Sequence, residues 1–89
     1  MITELDVREI LKSEIATKME MASESIDENV LLADLGLDSL QALQLLVMLE
    51  RTYRILISEE DLKYFQTINS LTEFVMQRIA ETSATQAAT

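Results

Sequence analysis

The sequence predicts an all-α fold: a small four-helix bundle with three longer helices, one short third helix, and a long loop between helices one and two. Three observations lead there. The chain has no proline and one glycine, Gly36, so nothing breaks its stretches of Leu, Ile, Glu, Ala and Gln, all compatible with helix. Apolar residues recur at the spacing of a helix face in three separate segments. Thr3, Asp38, Ser58 and Thr67 stand at segment starts, where a side-chain oxygen accepts from the free amides of a first helical turn.

Thr3 followed by Asp6 has the pattern of a capping box, and Val7, Ile10, Leu11 and Ile15 continue along one face; together they predict helix one over residues 3–18. From Glu20 to Asp38 the periodicity weakens. Ile26, Val30, Leu31, Leu32, Leu35 and Leu37 are too many apolar residues for a free linker, so this connection is expected to pack on the helices, with a short turn near residues 30–33. Gly36 supplies a backbone conformation closed to other residues just before the next helix. Asp38 is the natural N-cap of helix two, over residues 39–53. Ala42, Leu45, Leu46, Leu49 and Tyr53 form its core stripe. Leu40, Leu43 and Val47 form a second stripe centred about 130° away.

Ile55 and Ile57 are expected to turn inward. Ser58, followed by Glu59, Glu60 and Asp61, starts a short third helix over residues 59–64, with acids meeting its amide end. Thr67 caps a fourth over residues 68–81, with Ile68, Leu71, Val75 and Ile79 inward and Phe74 flanking. Residues 1–81 are read as one domain, and residues 82–89, small and polar, as a flexible tail.

With 89 residues and 48% hydrophobic content, the chain holds one small domain with enough apolar material for a core. The absence of cysteine and histidine excludes disulfides, thiol redox chemistry and Cys/His metal centres, and no metal site is expected. The longest apolar run, from Leu45 to Leu49, is far short of the roughly 20 residues of a membrane span. Met1-Ile2-Thr3-Glu4 lacks the basic region and apolar block of a signal peptide. A monomeric cytoplasmic protein without membrane association is expected.

The net charge of −9, from 16 acids against 7 bases, disfavours nucleic-acid binding, which needs clustered Lys and Arg. No base lies between Lys18 and Arg51, whereas Glu20, Glu24, Asp27, Glu28, Asp34, Asp38 and Glu50 do. The approach to helix two is therefore expected to carry a negative field that draws basic partner surfaces. Asp27, Asn29 and Asp34 do not make a calcium loop, because Gly36 is misplaced for that pattern and the closing glutamate is missing.

Ser39 is the residue this arrangement displays. Without histidine or cysteine it cannot belong to a Ser-His-Asp triad or a Cys-His pair, and nothing points to a concave acid–base site, so no enzymatic activity is expected. A serine at the mouth of a helix with no base of its own reads as an attachment point. The first amides of the helix and the positive end of its dipole favour an anion, so a phosphodiester on the Ser39 oxygen would lie beside them. Asp38 flanks it and is placed to help a partner enzyme hold a divalent cation while the group is added. Leu40, Leu43 and Val47, with Leu37, share that end of the helix and read as an apolar docking surface for partners.

The run Asp34-Leu-Gly-Leu-Asp-Ser-Leu40 resembles the attachment motif of acyl carrier proteins and the related peptidyl carrier domains. Ile57-Ser58-Glu59-Glu60 and Phe65-Gln66-Thr67-Ile68 resemble that family's third-helix start and the threonine before its fourth helix, so the likeness covers residues 3–80. The resemblance implies that Ser39 carries covalent 4′-phosphopantetheine, installed from coenzyme A by a phosphopantetheinyl transferase, with Gly36 forming the turn and Asp38 flanking. It implies polyketide-type or related acyl intermediates, held as thioesters and presented to an acyltransferase, a ketosynthase, or adenylating and loading enzymes. It also implies a crevice between helices that shelters the chain.

Carriers of primary fatty-acid synthesis resemble one another in a strongly acidic second helix. Here Gln41 and Gln44 stand at those positions, Glu50 lies beside Arg51, Arg54 follows, and the proline often found near Ser58 is absent. These departures point to a dedicated pathway of secondary metabolism: polyketide, hybrid polyketide–peptide or aminoacyl-loading. The alternatives are an aminoacyl or peptidyl carrier of a nonribosomal peptide or hybrid pathway and, in a different class, an unmodified acidic helical adaptor that grips its partner through Leu40, Leu43 and Val47.

Overall fold

The computed structural model describes residues 2–88 and contains three α-helices: α1 (Glu4–Met19), α2 (Ser39–Tyr53) and α3 (Ile68–Ala88). Short 3-10 turns at Ser23–Ser25, Leu32–Leu35 and Glu59–Tyr64 lie between them, and no strand occurs among the described residues. No helix among these residues is long and apolar enough to cross a membrane.

The caps at Thr3, Asp38 and Thr67 are formed as the sequence requires, whereas the Ser58 hydroxyl donates to Asp61. The Asp6 amide donates to Thr3 Oγ1 at 3.2 Å and the Thr3 amide to the Asp6 carboxylate at 3.1 Å, a reciprocal arrangement of the kind whose loss costs about 1 kcal/mol. At α3 the pair is Thr67 and Ser70, each amide donating to the other's hydroxyl at 3.0 Å. Val7, Leu11 and Ile15 of α1, Leu45 and Leu49 of α2, and Ile68, Leu71 and Val75 of α3 are fully buried together. Ile26, Leu32 and Ile55 join them from the connections, which is why the long loop is no free linker. Phe74, expected at the flank, is buried, because α3 also packs beneath the third turn. Leu31 is the exception in the loop and stays largely exposed.

Backbone and side-chain bonds stitch that loop to α1 and α3. The Leu32 amide donates to the Gln66 carbonyl at 2.7 Å and the Asn69 amide to the Glu28 carbonyl at 3.2 Å. Asn69 Nδ2 donates to Asn29 Oδ1 at 2.6 Å, and Arg8 Nε donates to Asn69 Oδ1 at 3.2 Å. Arg8 and Lys12 also reach the Glu28 carboxylate at 3.6 and 3.4 Å. Such half-exposed ion pairs are each worth only about 0–1 kcal/mol, but they neutralise part of the loop's acid from within the molecule. Asp27 accepts the Asn29 amide at 2.8 Å, so its carboxylate holds the loop's own turn.

The short third helix forms at its expected bounds, and two other expectations about the elements need correction. The short third helix is a 3-10 segment, held by the Asp61 amide on the Ser58 carbonyl and the Phe65 amide on the Leu62 carbonyl, both at 3.0 Å. Six residues are too few to repay α-helix nucleation, and the tighter i→i+3 pattern suits them. The turn inside the long loop lies at Leu32–Leu35, two residues later than expected, where Gly36 ends it. Helix α3 continues to Ala88 instead of stopping before residue 82, since Ala and Gln favour helix and no glycine or proline stops it; Thr89 lies outside the described residues.

Candidate functional site

The approach to Ser39 is built by a reversal of the backbone. Gly36 sits at φ 95°, in the left-handed region, and its amide closes the Leu32–Leu35 turn onto the Ala33 carbonyl at 3.1 Å. A Cβ here would meet nothing nearer than Met19 Sδ at 3.9 Å, so the backbone torsion, not crowding, calls for glycine. The Leu37 amide then donates to the Leu32 carbonyl at 3.3 Å, and the Leu37 side chain packs, half-buried, against the core. Leu37 was expected on the partner surface. The reversal at Gly36 leaves it half-buried, so only part of its side chain is open to solvent.

Asp38 caps α2. Its Oδ1 accepts the Gln41 amide at 2.8 Å, while the Asp38 amide donates to Gln41 Oε1 at 3.1 Å. The Ala42 amide takes the Asp38 carbonyl at 2.9 Å, leaving the Ser39 and Leu40 amides outside the helical ladder, as helix geometry requires. Ser39 is the first residue of α2, and it is exposed. The two stripes of α2 separate cleanly. Leu45 and Leu49 are fully buried, whereas Leu40, Leu43 and Val47 are 64, 50 and 41% exposed. Ala42 and Tyr53, assigned to the core stripe, are half-buried at its margin. Beside this face Lys18 Nζ donates to Gln44 Oε1 at 3.1 Å, so α2 offers apolar and neutral groups over its first three turns.

A solvent-open groove of about 400 Å³ begins at Ser39, a volume within the range of small-ligand sites. Ser39, Ala42 and Leu43 of α2 form one wall, and Leu62 and Phe65 the other. Neither Leu62 nor Phe65 was assigned to the site from the sequence, although Phe65 opens the Phe65-Gln66-Thr67-Ile68 motif. Their only local signal is apolar character at i, i+3 in a segment too short for periodicity to register.

The far wall is anchored by Asp61, which is 7% exposed. It accepts the Ser58 amide at 2.9 Å, the Ser58 hydroxyl at 3.1 Å, and Arg78 Nη2 at 2.9 Å. The Ser58 amide foremost, with the Ser58 hydroxyl and Arg78, holds the Asp61 carboxyl below its ordinary value of 3.8, against the opposing effect of burial. A group whose folded value is depressed stabilises the fold above its unfolded value and ceases to do so as the pH falls through the folded one. Asp61→Asn is therefore expected to lower the Tm near neutrality, with the gap from the native protein closing as the pH falls below 3.8. Circular-dichroism melts across the acid range check this, and a gap independent of pH would contradict it.

Comparison with known proteins adds an independent line. The family model described as the phosphopantetheine attachment site matches residues 9–75. The chain is 36% identical over 70 residues to the acyl carrier protein of Onion yellows phytoplasma (strain OY-M), covering 78% of this chain and 92% of that protein. It is 32% identical over 75 residues to the acyl carrier protein of Phytoplasma australiense, covering 83% and 99%. It is 34% identical over 74 residues to the anthracycline acyl carrier protein DauA of Streptomyces sp. (strain C5), covering 83% and 87%.

Proposed function

Because this chain belongs to the phosphopantetheine-bearing family of acyl carrier proteins, a carrier and not a catalyst, we propose that Ser39 Oγ is its attachment point and that its cargo is a polyketide-type acyl group. The observation that carries the first part is the placement of Ser39. It is exposed at the first turn of α2, beside two amides outside the helical ladder, and at the mouth of the groove. A phosphodiester on that oxygen meets N–H donors and the positive end of the helix. When bound, the arm supplies the terminal thiol that the cysteine-free chain lacks.

This chain's own residues do the rest. Asp38 and Gln41 hold the start of α2, so Ser39 is presented at a fixed place to a phosphopantetheinyl transferase. Ala42, Leu43, Leu62 and Phe65 offer an apolar lining to whatever enters the groove. An acyl chain fits that lining, whereas an aminoacyl ammonium would meet no acidic or hydrogen-bonding side chain among the lining residues once Ser39 Oγ is esterified. This favours acyl over aminoacyl cargo. The polyketide assignment draws on the anthracycline relative and on Gln41 and Gln44 where a strongly acidic helix would serve primary fatty-acid synthesis.

Synthases and transferases are the partners of such a carrier, and Leu40, Leu43 and Val47 are the surface proposed to meet them. Val47→Asp is expected to cut processing by a cognate acyltransferase or ketosynthase by about tenfold, the loss typical of an interface hot spot. Its Tm should stay near that of the native protein, because Val47 is exposed. A large drop in Tm with unchanged kcat/KM would remove Val47 from the docking surface. The proposal as a whole is tested by incubating the chain with malonyl- and aminoacyl-loaded coenzyme A and a broad-specificity transferase, then with candidate partners. Loading without elongation by any polyketide ketosynthase would defeat the cargo assignment.

A further inference from the structure

The third turn, Glu59–Tyr64, is held against α3 at both of its ends. At one end Arg78 Nη2 donates to Asp61 at 2.9 Å, and the same guanidinium lies over the Phe74 ring at 5.2 Å. At the other end the Tyr64 ring stacks on the opposite partner of that contact, Phe74, with centroids 5.3 Å apart and planes inclined by 14°. Ser70 Oγ also donates to the Tyr64 carbonyl at 2.9 Å. Asp61, Arg78, Phe74 and Tyr64 thus form one continuous ladder.

Leu62 lies between the two anchor points in the chain, and Phe65 follows directly. These two residues are the groove wall that faces Ser39 and Leu43. The wall is therefore only as firm as the ladder behind it. Charge-assisted hydrogen bonds from a flat guanidinium, backed by an aromatic face, are the interactions best suited to hold such a wall in one place. A 3-10 segment of six residues has little internal stability with which to do so itself.

We propose that Asp61 and Arg78 are positioning residues for the carried chain: their pairing sets the third turn so that Leu62 and Phe65 close the groove over the first part of an acyl group tethered at Ser39. This rests on the reading of the groove as the acyl shelter. It differs from a purely structural role in one respect, since it makes protection of the cargo depend on chain length.

The test loads the native protein and Arg78→Met with acetyl and with octanoyl arms, using the corresponding acyl-coenzyme A and a transferase, and follows cleavage of each thioester by hydroxylamine. Amide exchange at residues 59–65 is read on the same samples. In the native protein the octanoyl thioester should be cleaved more slowly than the acetyl one. In Arg78→Met the octanoyl rate should rise by about tenfold, the population shift that loss of one charge-assisted hydrogen bond produces, with the acetyl rate unchanged and exchange at residues 62–65 accelerated. If Arg78→Met does not fold, Arg78→Lys, which keeps the charge but not the flat plane on Phe74, carries the same comparison. Equal octanoyl and acetyl rates in the native protein would overturn the shelter and the positioning role together. Chain-length protection kept intact in a folded variant would overturn the positioning role alone.

Discussion

A Ser39→Ala variant is expected to gain no mass when incubated with coenzyme A and a broad-specificity phosphopantetheinyl transferase, while the native chain gains one phosphopantetheinyl group. The effect is all or none, because the substitution removes the only oxygen on this turn that can form the phosphodiester. Ser39 is exposed and its side chain caps nothing, since the cap of α2 belongs to Asp38 and Gln41. The variant should therefore melt like the native protein and differ in chemistry alone. Ser58 and Ser70 are the informative controls. Their hydroxyls are engaged with Asp61 and with the Tyr64 carbonyl, so Ser58→Ala should accept the arm as readily as the native chain. Modification persisting in Ser39→Ala would move the attachment point and dismantle the functional reading.

The second large effect is on stability. Leu49→Ala is expected to cost roughly 2–5 kcal/mol, the range for deleting a buried leucine and leaving part of its cavity. Leu49 is fully buried in the core cluster that also holds residues of α1 and α3. Against a total stability of about 5–15 kcal/mol for a natural domain, such a loss brings a small bundle near unfolding. Leu46 is the internal comparison. It lies on the same stripe, but it is 8% exposed and sits outside the main core cluster, so Leu46→Ala should cost less. Denaturant unfolding of the two variants orders them, and a larger cost at Leu46 would mean that α2 is rotated from the orientation described.

Ser39 and Leu49 lie on one helix whose core stripe and exposed stripe are about 130° apart, and that division suits the proposed function. A carrier must offer its attachment point and docking face to several enzymes in turn without loosening its own core. Helix α2 gives Leu45 and Leu49 to the interior and leaves Leu40, Leu43 and Val47, the proposed docking face, at the surface. The charges follow a similar division. Glu28 is paired with two cations of α1, Arg8 and Lys12. The residues beside Ser39 on α2 carry no charge beyond the capping Asp38.

What could be read from the chain alone was whatever depends on near neighbours in sequence. Thr3 with Asp6, Asp38 ahead of Ser39, and Thr67 ahead of Ile68 mark helix starts because a capping side chain acts within three residues. Gly36 marks the reversal because only its own torsion matters, and the two stripes of α2 follow from a repeat of 3.6 residues per turn. Those local rules were enough to locate the serine, its cap and the exposed stripe. Tertiary structure decided the rest. The groove exists because Leu62 and Phe65 come to face Ser39 and Leu43 from some twenty residues downstream. Leu37 is packed, half-buried, against a core assembled from distant segments. The Asp61–Arg78 link joins residues 17 apart across two elements. No repeat within a single segment encodes such pairings; they are set when apolar faces bury one another and the chain between them is carried into place.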